Sequence, residues 1–325
     1  MKYTLSSISR FTGTILLVVA GAFLAGCERT SAPNPSSDRV SIVASFFPLY
    51  DFARVLGGED FDVACLTPPG GDPHAMDASP QVARTLADAQ LALLLGFGMD
   101  GWVEKLAASE SQVRVVFASR GLEPMPVGEA SLAGFAKDEH DTPDYDHSHD
   151  LNEADPHVWL DPLLAQHLVR QIAEAMAALS PEHREAVFAR RDAFLRELVM
   201  LDEAFSDRLA DVKRREVVTF HGAFAYLFAR YRLKTVGVVE QFPGDEPSAA
   251  YLRELVDLMR QLKMNVIFAE PQLSDRPAQV IAREIDGRVE RLDPCETILF
   301  DHPSATYLER QRANLEVLSR VLAEP

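Results

Sequence analysis

Residues 40–66 read VSIVASFFPLYDFARVLGGEDFDVACL. The first five, VSIVA, are mostly apolar and β-branched, the composition of a strand buried on both faces. Pro48 then stands where the first turn of a helix tolerates it. Apolar spacing runs on to Leu56 and stops at Gly57-Gly58, a common helix end. A second apolar run, 61–66, follows at once. Strand, helix and strand in 27 residues is a βαβ unit, and this connection requires parallel pairing.

The same alternation continues outward. Ser79-Pro80 opens a helix, with Ser as cap and Pro at the first helical position. Residues 91–95 read as a buried strand, 100–108 as a helix and 113–118 as another strand. The pattern breaks between Gly121 and Asp155, where a polar, His/Asp-biased stretch reads as a loop. Helix returns at 162–179. Ser180-Pro181-Glu182 starts another, whose apolar spacing carries to about Arg214. A helix of about 34 residues would be roughly 50 Å long, long enough to span two lobes. Strands at 217–220, 236–239, 266–269 and 289–292 then alternate with helices at 223–231, 248–263 and 277–285, and an amphipathic helix at 307–322 closes the chain. The reading is α/β with parallel sheets: an N-terminal lobe over 40–179 with a His/Asp-rich loop at 138–155, a linking helix at 180–214 and a C-terminal lobe over 215–325.

The chain begins differently. Lys2 and Arg10 precede an apolar run at 14–24 that is too short for an ordinary membrane span and ends in Leu24-Ala25-Gly26-Cys27. This is the pattern of a lipoprotein signal peptide over 1–26, with Cys27 as the lipidated residue. Two or more acyl chains there anchor stably where one does not. Residues 27–39 are polar and Pro/Ser-rich, a flexible tether. Cleavage removes two positive charges and no acid, taking the net charge from −17 to −19. So acidic a chain is a poor partner for nucleic acid and is compatible with cation capture. Cys65 and Cys295 fall in different lobes and read as buried free thiols.

Three histidines share one kind of setting. His74 sits in the Pro/Gly turn TPPGGDPH after the second strand. His157 lies just before Val158-Trp159-Leu160, and His221 directly follows the strand at 217–220. The tripeptide Asp-Pro-His occurs twice, at Asp72-Pro73-His74 and Asp155-Pro156-His157. Ligands of open α/β sheets bind outside the carboxyl ends of the strands. Asp293 follows the last strand and offers a fourth group. Three neutral imidazoles and one carboxylate form a tetrahedral N₃O set suited to Zn²⁺. Taken singly, a His at a strand end is more often structural, and Asp before Pro is more often a turn former; spacing alone leaves both readings open.

The ordered motifs FPLYDFARVLGG (47–58), PGGDPH (69–74), GMDGW (98–102), DPHVWLDP (155–162), HGAF (221–224), EPQ (270–272) and LDP (292–294) resemble the zinc/manganese class of ABC-transporter substrate-binding proteins, closest to the ZnuA-like zinc binders. The resemblance covers about 40–322. It implies two Rossmann-like α/β lobes joined by one long rigid helix, with the metal in the interlobe cleft. It implies His74, His157, His221 and Asp293 as ligands. His221 points to zinc, because manganese-preferring relatives often carry Glu there. It implies that the loop histidines His140, His147 and His149 serve secondary zinc capture. The function it implies is an extracytoplasmic, monomeric lipoprotein that delivers Zn²⁺ to an ABC importer permease, and not an enzyme. Alternatives are a Mn²⁺ or Fe²⁺ binder of the same class, a surface adhesin or metal-storage lipoprotein, or a zinc hydrolase built on three histidines and an open position.

Overall fold

The computed structural model describes residues 39–108, 112–127, 154–240 and 247–324. The expected signal peptide, the expected lipidation site Cys27 and the histidines His140, His147 and His149 lie outside the described residues, as does the expected tether apart from Arg39. Among the described residues no helix is long and apolar enough to cross a membrane.

The N-terminal half builds β1 (Val40–Ala44), α1 (Phe47–Gly57), β2 (Phe61–Cys65), α2 (Pro80–Ala87), β3 (Leu91–Leu94), α3 (Gly101–Ala107), β4 (Arg114–Phe117) and α4 (Pro162–Leu179). After the long α5 (Arg184–Leu209) come β5 (Glu216–Thr219), α6 (Ala225–Arg230), β6 (Lys234–Val238), α7 (Ala249–Gln261), β7 (Val266–Ala269), α8 (Arg276–Glu284), β8 (Arg288–Arg291) and α9 (Tyr307–Leu322). The strands form two four-stranded parallel sheets, ordered β2-β1-β3-β4 and β6-β5-β7-β8. The two orders are the same winding. In each sheet the chain crosses first to one side of the leading strand and then to the other, which opens a crevice at the carboxyl ends.

Local chemistry sets the helix boundaries. Ser79 Oγ accepts from Val82 N at 3.2 Å, Ser248 Oγ from Tyr251 N at 3.1 Å, and Asp161 Oδ1 from Leu163 N at 2.8 Å. Each satisfies a donor that a helix start leaves orphaned. The end of α1 is held by Gly58 at φ +55°, and a Cβ there would lie 2.8 Å from the Arg190 guanidinium. Only glycine offers both the conformation and the space.

Alternation along β1 sorts its side chains into two cores. Val43 faces outward onto α2 and α3 with Leu66, Leu86 and Val103. Ile42 and Ala44 face a central core that runs through Trp159, α4 and α5 to Phe224, Phe228 and Leu318. The other face of the second sheet packs Val218, Leu255, Met259 and Ile281. The helix α5 belongs to both halves. Phe194 meets Phe52 of α1 with ring centroids 5.6 Å apart, and Phe205 stacks on Tyr231 beside β6 at 5.0 Å.

The linking helix is shorter than its sequence pattern. It has 26 residues, about 39 Å at 1.5 Å per residue, and not about 34 residues. Pro181–His183 forms a separate 3₁₀ turn before it. Beyond Leu209 the chain turns, because Arg215 Nη2 donates to the carbonyls of Leu209 and Ala210 at 3.1 and 2.6 Å and caps the helix end. Cys65 and Cys295 are unbridged, and burial pushes the Cys65 thiol up to about 12.

The last helix is pinned to β8 by charge. Arg320 donates to Glu290 at 2.7 and 2.9 Å and Arg288 at 2.8 Å, which holds the Glu290 carboxyl down at about 2. A carboxyl depressed in the folded state stabilises above its unfolded value, and that stabilisation is lost as pH falls through the folded one. Glu290→Gln therefore costs about 1 kcal/mol at pH 7, a partly exposed network being screened. The cost shrinks as pH falls from 4.5 towards 2. Urea midpoints at pH 7 and pH 3.5 check this, and an equal cost at both would refute it.

Candidate metal centre

His74, His157, His221 and Glu296 each bring one ligand atom to a common point, all within 4.8 Å of one another. The ring centroids stand 5.2 Å (His74–His157), 5.2 Å (His157–His221) and 5.8 Å (His74–His221) apart. His157, His221 and Glu296 are 5%, 3% and 2% exposed. His74 is the accessible member, with 23% of its side chain open.

Each group reaches this point from its own loop. In both Asp-Pro-His tripeptides the Asp Oδ1 accepts the backbone N–H of the His two residues on, at 2.9 Å in each case. This is an Asx turn, and it presents the imidazole that follows. His157 is held further from outside its own loop: Tyr226 of α6 accepts from Met125 N at 2.7 Å and donates to the Asp155 carbonyl at 2.9 Å. His221 follows β5 directly.

The buried rings are oriented from behind. His157 Nδ1–H donates to Asp155 Oδ1 at 2.7 Å and His221 Nδ1–H to Glu270 Oε1 at 2.6 Å. The tautomer is thereby set, and each Nε2 is left facing the cluster. Among the described residues, His157 Nε2 is buried and has no hydrogen-bond partner. Glu296 Oε1 lies 3.1 Å away. A buried nitrogen aimed at a shared point, with no partner of its own, fits a metal ligand.

Charge follows the geometry. Burial opposes a charge on His157, yet the Asp155 carboxylate, with Glu296 in support, raises it to about 10. His221 is likewise raised, by Glu270 against its burial. Glu296 is held low by His157 and His74 although burial pushes the other way. Burial raises Glu270. A cation entering the cluster takes the place of these protons, since ligating imidazoles are neutral.

Asp293, expected as the fourth ligand, is not in the group, and Glu296 stands there in its place. The Asp293 carboxylate is engaged by Arg310 through Nε–Oδ2 and Nη2–Oδ1 bonds of 2.6 Å each, and its Oδ1 also accepts from Cys295 N at 2.8 Å. Asn314 grips its backbone on both sides, at 2.8 and 2.7 Å. Cys295 adopts φ +56° and turns the chain so that the next residue, Glu296, enters the cluster. The loop also touches the first half: Trp159 Nε1 donates to the Pro294 carbonyl at 2.7 Å and Phe47 N to the Glu296 carbonyl at 3.3 Å.

Sequence reasoning missed Glu296 and the orienting residues Asp155 and Glu270. Asp155 was legible as the Asp of the second Asp-Pro-His. Glu296 carried no spacing signal. A cavity of about 480 Å³ between α8 and β8 has Glu270 in its lining but none of the four clustered residues; a single ion needs no such volume.

A family model described as ZnuA, zinc-uptake complex component A periplasmic, matches residues 42–321. Over 312 residues the chain is 30% identical to the high-affinity zinc uptake system protein ZnuA of Bacillus subtilis, covering 93% of this chain and 95% of that one. Over 310 residues it is 29% identical to the zinc-binding lipoprotein AdcA of Streptococcus pneumoniae, covering 94% of this chain and 60% of that longer protein. The crystal structure of the Zn(II)-bound ZnuA-like domain of Streptococcus pneumoniae AdcA aligns with a TM-score of 0.73 at 27% identity, covering 88% of this chain and all of that domain.

Proposed function

This chain belongs to the ZnuA family of periplasmic zinc-uptake components, and on that premise we propose that it captures one Zn²⁺ with His74, His157, His221 and Glu296 and delivers it to an ABC importer permease. The observation that carries the reading is the convergence of three imidazoles and one carboxylate within 4.8 Å. Nitrogen-dominated sets suit Zn²⁺, whereas Mn²⁺ favours oxygen. Four protein donors complete a tetrahedron and leave no open position for a reacting water, which favours a carried ion over a catalytic one.

The residues divide the work. Asp155 and Glu270 hold the imidazoles in the ligating tautomer and accept the charge the ion brings. His74, the exposed member, is the first donor an incoming ion meets. The Glu296 loop already hydrogen-bonds the first half through Trp159 and Phe47, so capture needs little closure. Cys27, lipidated after cleavage, tethers the protein outside the cytoplasm, close to the permease.

Zinc removal tests the reading. A site bound at 1,000 times its Kd gains about 4 kcal/mol. In a domain of this size that raises Tm by roughly 8–16 °C. Calorimetry of the chelator-stripped protein with and without one equivalent of Zn²⁺ should show this upward shift and a 1:1 stoichiometry. No shift with Zn²⁺ would sink the proposal.

A further inference from the structure

Glu296 offers two oxygens, and they face different neighbours. Oε1 lies 3.1 Å from His157 Nε2 and 3.4 Å from His74 Nε2, at the centre of the cluster. Oε2 lies 3.4 Å from the side-chain nitrogen of Gln272. The same Gln272 nitrogen donates to Glu270 Oε2 at 2.8 Å, while Glu270 Oε1 holds His221. A primary amide has two hydrogens on one nitrogen. Gln272 is thus placed to bridge two buried carboxylates, one of the cluster and one behind it.

The orientation of this amide follows from the two carboxylates its nitrogen faces. Among the described residues, Gln272 Oε1 is buried without a hydrogen-bond partner. Flipping the amide would turn that oxygen onto both carboxylates, so the nitrogen faces them and the oxygen is orphaned. A buried acceptor left unmade is costly, and the bridge is what the cost sustains.

We propose that Gln272 is a positioning residue that sets metal selectivity, by occupying Glu296 Oε2 so that only Oε1 reaches the ion. This rests on the ligand set proposed above. One oxygen and three imidazoles give four donors, the number Zn²⁺ prefers. A carboxylate freed to bind through both oxygens raises the donor count and the oxygen share, which is the direction of Mn²⁺. Selectivity then depends on a residue that touches no ion.

The test uses the mature protein, wild type and Gln272→Met, a near-isosteric change without a donor, with Gln272→Ala as the second variant should the first fail to fold. Each is loaded with Co²⁺, whose visible absorption is intense at four-coordinate and weak at higher-coordinate sites, and each is titrated with Zn²⁺ and Mn²⁺ against a competing chelator. The variant should lose Co²⁺ band intensity, and its Zn²⁺-over-Mn²⁺ preference should fall about 10-fold or more, the range for losing an outer-shell partner. An unchanged Co²⁺ spectrum with an unchanged preference in a folded variant would overturn the role of Gln272 alone. A wild-type protein with no Co²⁺ band and no Zn²⁺ binding would overturn the ligand set and this inference together.

Discussion

Glu296→Ala weakens Zn²⁺ binding by more than about 100-fold, whereas Asp293→Asn leaves it within about 10-fold. The bounds come from the cost of outer-shell losses, typically 10–100-fold, which removal of a direct ligand exceeds. Glu296 brings its oxygen into the group of three imidazoles, and its loss leaves the ion three donors and a place for water. Asp293 keeps both oxygens on Arg310 and one on Cys295 N. Its amide counterpart retains one acceptor for that turn, so Glu296 still arrives, if less firmly. Glu296→Gln should fall between wild type and Ala, because an amide oxygen is a weaker donor than a carboxylate. Competition against a chelator of known affinity gives the three constants. If Asp293→Asn lost more affinity than Glu296→Ala, the fourth ligand would have been assigned to the wrong acid.

Both acids follow β8, and the sequence offers no means of choosing between them. What decides is Arg310, 17 residues from Asp293 and on a helix that returns across the molecule. A carboxylate with a bidentate guanidinium is already spoken for. The decisive contact is tertiary and leaves no local periodicity. The histidines were legible for the opposite reason. His221 directly follows an apolar strand, and His74 and His157 each close an Asp-Pro-His in which the Asp carboxylate bonds the His N–H, so three residues carry their own geometry. Strand and helix periods were equally local, and the alternation from 40 to 66 already dictates a parallel sheet. The linking helix shows the limit of such reading. Apolar spacing runs past Leu209, but the helix ends where Arg215 folds back onto its last carbonyls. The matching orders of the two sheets could not be read from strand and helix periods, which fix each element but not which strands pair.

Loss of the Arg310 side chain should also cost the fold heavily. It is 5% exposed and each of its three guanidinium nitrogens donates: Nε and Nη2 to Asp293, Nη1 to the Thr297 carbonyl at 2.7 Å. Its guanidinium carbon also sits 4.3 Å from the centroid of the Phe47 ring. Arg310→Met keeps most of the volume and removes the charge. It leaves Asp293, only 15% exposed, without a counter-ion, and breaking a buried pair on one side typically costs 3–5 kcal/mol. Urea unfolding of the zinc-free protein at pH 7 should show a loss of about that size. Adding Asp293→Leu should recover part of it, since replacing both members of a buried pair is often close to neutral. Recovery stays incomplete, because Leu cannot accept from Cys295 N and the turn that delivers Glu296 loses its anchor. Zinc affinity therefore remains below wild type in the double variant even as stability returns. A single variant that lost less than about 1 kcal/mol would mean that water or another cation already satisfies Asp293, and that the pair does not fix the loop.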